Sequence, residues 1–166
     1  SIIEGAIVAN VRHKQRMVDN IMAILGHDLR GKRLAIWGLA FKAGTDDTRE
    51  SAAVFIVKAL LKAGAVLQVI DPVVTTKKWD HLALGEALQD TVRLISTDSC
   101  AASIDNADAI VVLTEWDLFK TVDWATLQQD RTPRIPVIDF RNLYDPAKMA
   151  DLGIPYTSLG RPAVTS

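Results

Sequence analysis

The sequence predicts an α/β protein, a parallel sheet with helices on both faces, preceded by one long N-terminal helix. Three observations predict it. Short apolar runs alternate with segments of helical spacing along most of the 166 residues, the pattern of strand–helix–strand crossovers. The run Ala109 to Leu113 is continuously apolar, as a strand buried on both faces must be. Apolar residues recur at helical spacing from Ile3 to Leu25, a stretch too long for a strand.

The first element carries Ile3, Ile7, Val11, Met17, Val18, Ile21, Ile24 and Leu25 on its apolar side. Arg12, His13, Lys14, Gln15, Arg16 and Asp19 interrupt them, giving one amphipathic helix that Gly26 is suited to stop. Ile2, Ile3, Ile7 and Val8 have no evident partner, so its start is expected to be an interface with chain outside this sequence. "RLAIWG" then reads as a strand ending at Gly38, followed by a loop and a helix with Val54, Val57, Leu60 and Leu61 inward. Gly64 ends that helix, and "VLQVID" is the second strand, closed by Pro72. Lys78 to Leu88 is expected to be helical, "VRLIS" a short strand and Asp98 to Asn106 a short helix. After Ala109 to Thr114, "WATLQQ" gives a helical turn or two and "IPVID" another strand. Pro146 to Asp151 is a short helix, and "IPYTSL" an edge strand before a tail. The order makes the fold Rossmann-like.

Composition narrows the partners. Apolar residues make up 49% and the formal net charge is −1, so no global field draws the chain to nucleic acid or to an anionic membrane. No apolar run approaches the roughly 20 residues that span a bilayer, and "SIIEGAIVAN" lacks the pattern of a signal peptide. One cysteine, Cys100, cannot form an internal disulfide, which fits a cytoplasmic protein. The abrupt start within a helical segment is expected of part of a longer chain.

Several features imitate chemistry. Cys100 in "TDSCAAS" has no neighbouring histidine or cation to activate it and reads as a packed thiol. Gly26-x4-Gly31-Lys32 resembles a phosphate loop, but Arg33 replaces the required hydroxyl and the segment precedes its strand. His13, His27 and His81 show no metal-ligand spacing, so no metal is expected. Asp71 stands where an acid would hold a ribose. With no glycine fingerprint upstream, Asp71-Pro72 reads as a turn. Trp116 is expected to pack beside the cleft.

The chemistry concentrates in "IWGLAFKAGTDDTRES", Ile36 to Ser51. Ligands of open parallel sheets bind beyond the carboxyl ends of the strands. Gly38 and Ala40 let the backbone approach a ligand, Lys42 brings a point charge, and Arg49 a planar fork for two oxygens. Asp46 and Asp47 oppose a phosphate at the same place, and Asp47-x-x-Glu50 has the spacing of a helix capping box. A ligand is therefore expected nearer Phe41 and Lys42.

"GLAFKAGTDDTRES" resembles the signature of the C-terminal domain of UDP-glucose 6-dehydrogenases and other nucleotide-sugar dehydrogenases. "LTEWDLF" (Leu113 to Phe119), "DFRNLYDP" (Asp139 to Pro146), "YTSLGR" and "VANVRHKQRMV" agree with that family in order. The resemblance implies that residues 1–30 end a central linker helix and 31–166 form the nucleotide-sugar-binding domain. It implies an enzyme oxidising the sugar C6 alcohol to a carboxylate in two NAD-dependent steps, through a cysteine-bound intermediate. Phe41, Lys42 and Arg141 would contact the substrate and Arg49 would reach NAD on an N-terminal domain, within a homodimer or higher oligomer. The sequence here holds no G-x-G-x-x-G and no G-G-S-C, so the resemblance assigns NAD and the catalytic cysteine to another part of the protein. By the same resemblance "LTEWDLF" favours UDP-glucose over GDP-mannose, with a UDP-N-acetyl sugar left open. A stand-alone nucleotide-binding module is the alternative. Phe140 stands where the family usually has Gly, so packing beside Arg141 is expected to differ.

Overall fold

The computed structural model of the chain describes residues 1–39, 52–74, 91–95 and 99–158. Helix α1 spans Ile2–Leu25, opened by a capping box in which the Ser1 hydroxyl accepts the Glu4 N–H. It ends at Gly26, whose φ of 88° is left-handed. Its second half packs on the domain through Met17, Val18 and Ile21, while its first half projects away. There Ile2, Ile3 and Ile7 are 92%, 73% and 60% exposed.

Strand β1 (Arg33–Trp37), helix α2 (Ala52–Lys62) and strands β2 (Val66–Ile70) and β3 (Val92–Ile95) build one half of the sheet. The other half holds α3 (Cys100–Ser103), β4 (Ala109–Val112), α4 (Asp117–Lys120), α5 (Trp124–Leu127), β5 (Val137–Asp139), α6 (Pro146–Asp151) and β6 (Tyr156–Ser158). All six strands are parallel, in the order β3-β2-β1-β4-β5-β6. The chain starts in the middle and winds outward in both directions, so the order reverses between β1 and β4. Trp37 is level with Ile70 on one side and Val112 on the other, so the three central strands end together.

Alternation along the strands divides the interior in two. Leu34 and Ile36, Leu67 and Val69, and Ala109 and Val111 face a core shared with α1 and α2. Ala35 and Trp37, Ile110 and Val112 face the other, which is largely aromatic. Trp37 stacks on Phe119 and Trp124 at 5.3 and 5.4 Å, Trp124 meets Tyr144 edge-on at 4.9 Å, and Tyr144 meets Tyr156 at 6.2 Å. This run of rings crosses beneath the sheet from its centre to its edge strand. Large buried aromatics contribute most to such cores, and Trp37 also donates its indole N–H to Ser103 Oγ at 2.9 Å.

The parallel sheet, the long first helix and the edge position of β6 agree with expectation. Helix formation in the segment from Asp98 to Asn106 is confined to the single turn of α3 within the described residues. The segment Lys78 to Leu88 lies outside the described residues. Helix α4 has one turn and so leaves no periodicity in the sequence to find. Among the described residues, no helix is long and apolar enough to cross a membrane.

Candidate functional site

In open parallel sheets the ligand crevice lies beyond the carboxyl ends of the strands where their order reverses, here between β1 and β4, and Gly38 follows β1 at that point. Its φ is 102°, and a Cβ built there would lie 2.4 Å from both Cβ and Oγ1 of Thr114. Only glycine meets both demands. The Gly38 N–H donates to Ile70 O at 2.8 Å, so it belongs to the sheet and is not offered to a ligand.

Asp71, just past β2, holds the next turn. One carboxylate oxygen accepts the Leu39 N–H at 2.8 Å and the Trp116 indole N–H at 3.2 Å. The other accepts the N–H groups of Val73 and Val74, both at 3.0 Å. A buried carboxylate is costly unless its lone pairs are filled in this way. Asp71 therefore ties the exits of β1 and β2 to Trp116 and does not face outward as a ribose ligand must. The turn reading of Asp71 agrees with this geometry, and so does the packed reading of Trp116. Together with the committed N–H of Gly38, it means that the described residues do not form a dinucleotide cradle.

On the other side of the crevice Asp139, only 1% exposed, plays a similar part at the end of β5. It accepts the Arg141 N–H at 2.8 Å, the Leu143 N–H at 2.7 Å and the Tyr156 hydroxyl at 2.7 Å. Asn142 takes a left-handed φ of 55°, a conformation that asparagine tolerates well. The loop from Asp139 to Leu143 is thus fixed by one carboxylate, and it presents Arg141 at the crevice edge. The Arg141 guanidinium donates from Nη2 to Glu115 Oε1 at 3.0 Å, which joins the exits of β4 and β5. Both side chains are half-exposed. Phe140, by contrast, turns into the core beneath α1 and α2.

Of the residues that the sequence singles out for binding, Arg141 is the one the structure describes. Phe41, Lys42 and Arg49 lie outside the described residues, as do Asp46, Asp47 and Glu50. Sequence reasoning missed Asp139, although aspartate two residues before a bonded N–H is a recurrent turn signal. It also missed the pairing of Glu115 with Arg141, which depends on a sequence separation of 26 residues being closed by the sheet.

Residues 35–146 match the UDP-glucose/GDP-mannose dehydrogenase family, UDP binding domain. The chain belongs to this family. The UDP-glucose 6-dehydrogenase of Pseudomonas aeruginosa is 36% identical over 162 residues, covering 97% of this chain and 35% of that protein. Among solved structures, an NDP-N-acetyl-D-galactosaminuronic acid dehydrogenase from Methanosarcina mazei Go1 aligns with a TM-score of 0.67. It is 26% identical, covering 90% of this chain and 29% of the other. A UDP-glucose dehydrogenase from Pyrobaculum islandicum aligns with a TM-score of 0.61 at 26% identity, covering 82% and 28%. The chain thus spans about a third of the length of the curated relatives it matches.

Within this family domain Cys100 lies apart from the crevice. It lines an open cavity of about 420 Å³ between α3, α4 and α5 that includes none of Gly38, Thr114, Glu115 or Arg141. Burial pushes its thiol up to about 12, so the group stays protonated and unreactive at neutral pH. Burial also raises the Tyr144 phenol well above its ordinary range, with Asp139 adding to the shift. An unfolded thiol ionises near pH 9 while the folded one keeps its proton, so stability is lost as pH rises from about 9 to 12. Urea unfolding at stepped pH should show that fall, and Cys100→Ala should make it shallower. An unchanged slope in the variant would assign the loss to other groups. Among the described residues no cluster of His, Cys, Asp or Glu can hold a metal ion.

Proposed function

We propose that this chain is the C-terminal nucleotide-sugar-binding domain of a cytoplasmic UDP-glucose 6-dehydrogenase, with residues 1–30 as the end of its linker helix and 31–166 as the domain. The intact enzyme oxidises UDP-glucose to UDP-glucuronate with two NAD, and NAD supplies the hydride acceptor. Binding of NAD falls mainly to an N-terminal domain of the same protein, as the resemblance implies for a sequence without G-x-G-x-x-G. Phe41, Lys42 and Arg141 bind the substrate, and Arg49 reaches toward NAD. The exposed apolar start of α1 is the surface on which the rest of the protein and a second subunit assemble.

The observation that carries this reading is the position of Arg141. A buried carboxylate fixes its loop, and its guanidinium stands at the crevice edge in a chain that matches the family's UDP binding domain. An arginine fork suits the paired oxygens of a diphosphate. In calorimetric titration, Arg141→Ala should weaken UDP by about 10- to 150-fold, the loss of roughly 1.5–3 kcal/mol for a hydrogen bond to a charged group. Unchanged affinity would overturn the assignment. A competition series of UDP-glucose, a UDP-N-acetyl sugar and GDP-mannose should rank UDP-glucose tightest, as the resemblance to UDP-glucose 6-dehydrogenases implies.

A further inference from the structure

Glu115 bonds the nitrogen of Arg141 that both edges of its guanidinium share. A guanidinium has two edges able to grip a pair of oxygens, one formed by Nε with Nη2 and the other by Nη1 with Nη2. Nη2 is common to both. It carries two N–H groups, one on each edge, and Glu115 accepts from this nitrogen at 3.0 Å, so an anion at either edge lies near the Glu115 carboxylate even where its N–H partners stay free. The pair is half-exposed, with side chains 39% and 42% accessible, so water and ligand reach both partners. Among the described residues, Glu115 is the only side chain bonded to the guanidinium.

We infer that Glu115 is an internal competitor for Arg141, holding its guanidinium in the free protein and yielding it to the diphosphate of the nucleotide. The inference rests on the reading of Arg141 as a substrate ligand and assigns a further residue to that site. Glu115 sits two residues past Leu113, whose N–H is fixed to Trp37 O at 2.9 Å, while the Arg141 N–H is fixed by Asp139. Both backbones are anchored, so exchange of partners requires only side-chain rotation. An exposed ion pair of this kind is weak enough to be exchanged. A nucleoside, which lacks phosphates, gives Arg141 no reason to leave Glu115, so the carboxylate also biases the site toward anionic ligands.

The test is a titration of this chain with UDP, followed by nitrogen–proton spectra that include the arginine side-chain signals. Wild type, Glu115→Gln, Arg141→Ala and the double variant are compared. Glutamine keeps the length of the side chain and, at so exposed a position, leaves folding intact. Glu115→Gln should tighten UDP about 2- to 5-fold, in line with the worth of an exposed pair, and leave uridine unaffected. The gain should vanish in the Arg141→Ala background and shrink as salt is raised. If Glu115→Gln binds UDP equally or more weakly while Arg141→Ala still weakens it, the competitor role is overturned and Arg141 keeps its place. A gain that survives without Arg141 overturns it as well. If UDP moves no Arg141 signal in either wild type or Glu115→Gln, the substrate-ligand reading fails and the inference falls with it.

Discussion

Gly38→Ala should lower the unfolding free energy by about 2–5 kcal/mol, the sum of a left-handed backbone cost and an overpacked contact. That is a large share of the roughly 5–15 kcal/mol that holds an ordinary domain together. The new methyl meets Thr114 Cβ and Oγ1 at 2.4 Å, and the Thr114 backbone, just past β4, is tied to β1 by its N–H bond to Trp37 O at 3.3 Å, which resists its retreat. Gly26 separates the two contributions. It has a similar φ of 88°, yet a Cβ there meets nothing within 4 Å, so Gly26→Ala carries the backbone cost of about 1–2 kcal/mol alone. Urea unfolding of the two variants should therefore differ by at least about 1 kcal/mol. Equal losses would show that the close approach of β1 and β4 contributes nothing. Because Gly38 lies at the strand-order reversal, against Thr114 beside Glu115, the same variant should also bind UDP less well.

Much of the fold was legible in the sequence because its strands are buried on both faces. Ala109 to Leu113 is apolar throughout and Val66 to Ile70 is apolar but for Gln68, and only a parallel sheet under two layers of helices accommodates several such strands. The long helix α1 was legible for a related reason, since Met17, Val18 and Ile21 keep helical spacing over its packed half. The glycine at the end of β1 was equally visible as a place of close approach, though not what it approaches. Thr114 is 76 positions away, and only strand order brings it beneath Gly38.

The candidate site was legible in one direction only. Arg141 was found through the resemblance of "DFRNLYDP" to the family, and its residue type, a cation on a loop after a strand, fits that reading. The carboxylates that fix the strand exits cannot be found so, because Asp71 and Asp139 look in sequence like ordinary turn formers. Their task depends on which N–H groups the strand ends leave without partners. Asp71 draws donors from Leu39 and Trp116, which lie 32 and 45 residues away. Tyr156 reaches Asp139 across 17 residues. Spacing along the chain carries no record of such contacts, since each is closed by the sheet.

Asp139→Asn replaces one carboxylate oxygen with an NH2 group and should nevertheless cost about 1–3 kcal/mol, the penalty of leaving a part-buried donor without its acceptor. The carboxylate receives three donors, the N–H groups of Arg141 and Leu143 and the Tyr156 hydroxyl. An amide offers one acceptor oxygen and two further donors. The Tyr156 hydroxyl can adjust, because it already lies 3.3 Å from Tyr144 O and is able to accept from the new amide. A backbone N–H cannot. Whichever way the substituted amide is turned, Arg141 or Leu143 faces its NH2 group, and the loop must shift. Tyr156→Phe is the informative contrast. It removes a donor, leaves Asp139 its two backbone bonds, and should cost only about 0.5–1.5 kcal/mol. Urea unfolding should order the two variants accordingly, while UDP titration should find a weaker site in Asp139→Asn alone. If Tyr156→Phe weakens UDP as much as Asp139→Asn does, the aromatic core supports the loop more than the carboxylate. If neither variant changes UDP affinity, the loop geometry is immaterial to how Arg141 meets its ligand.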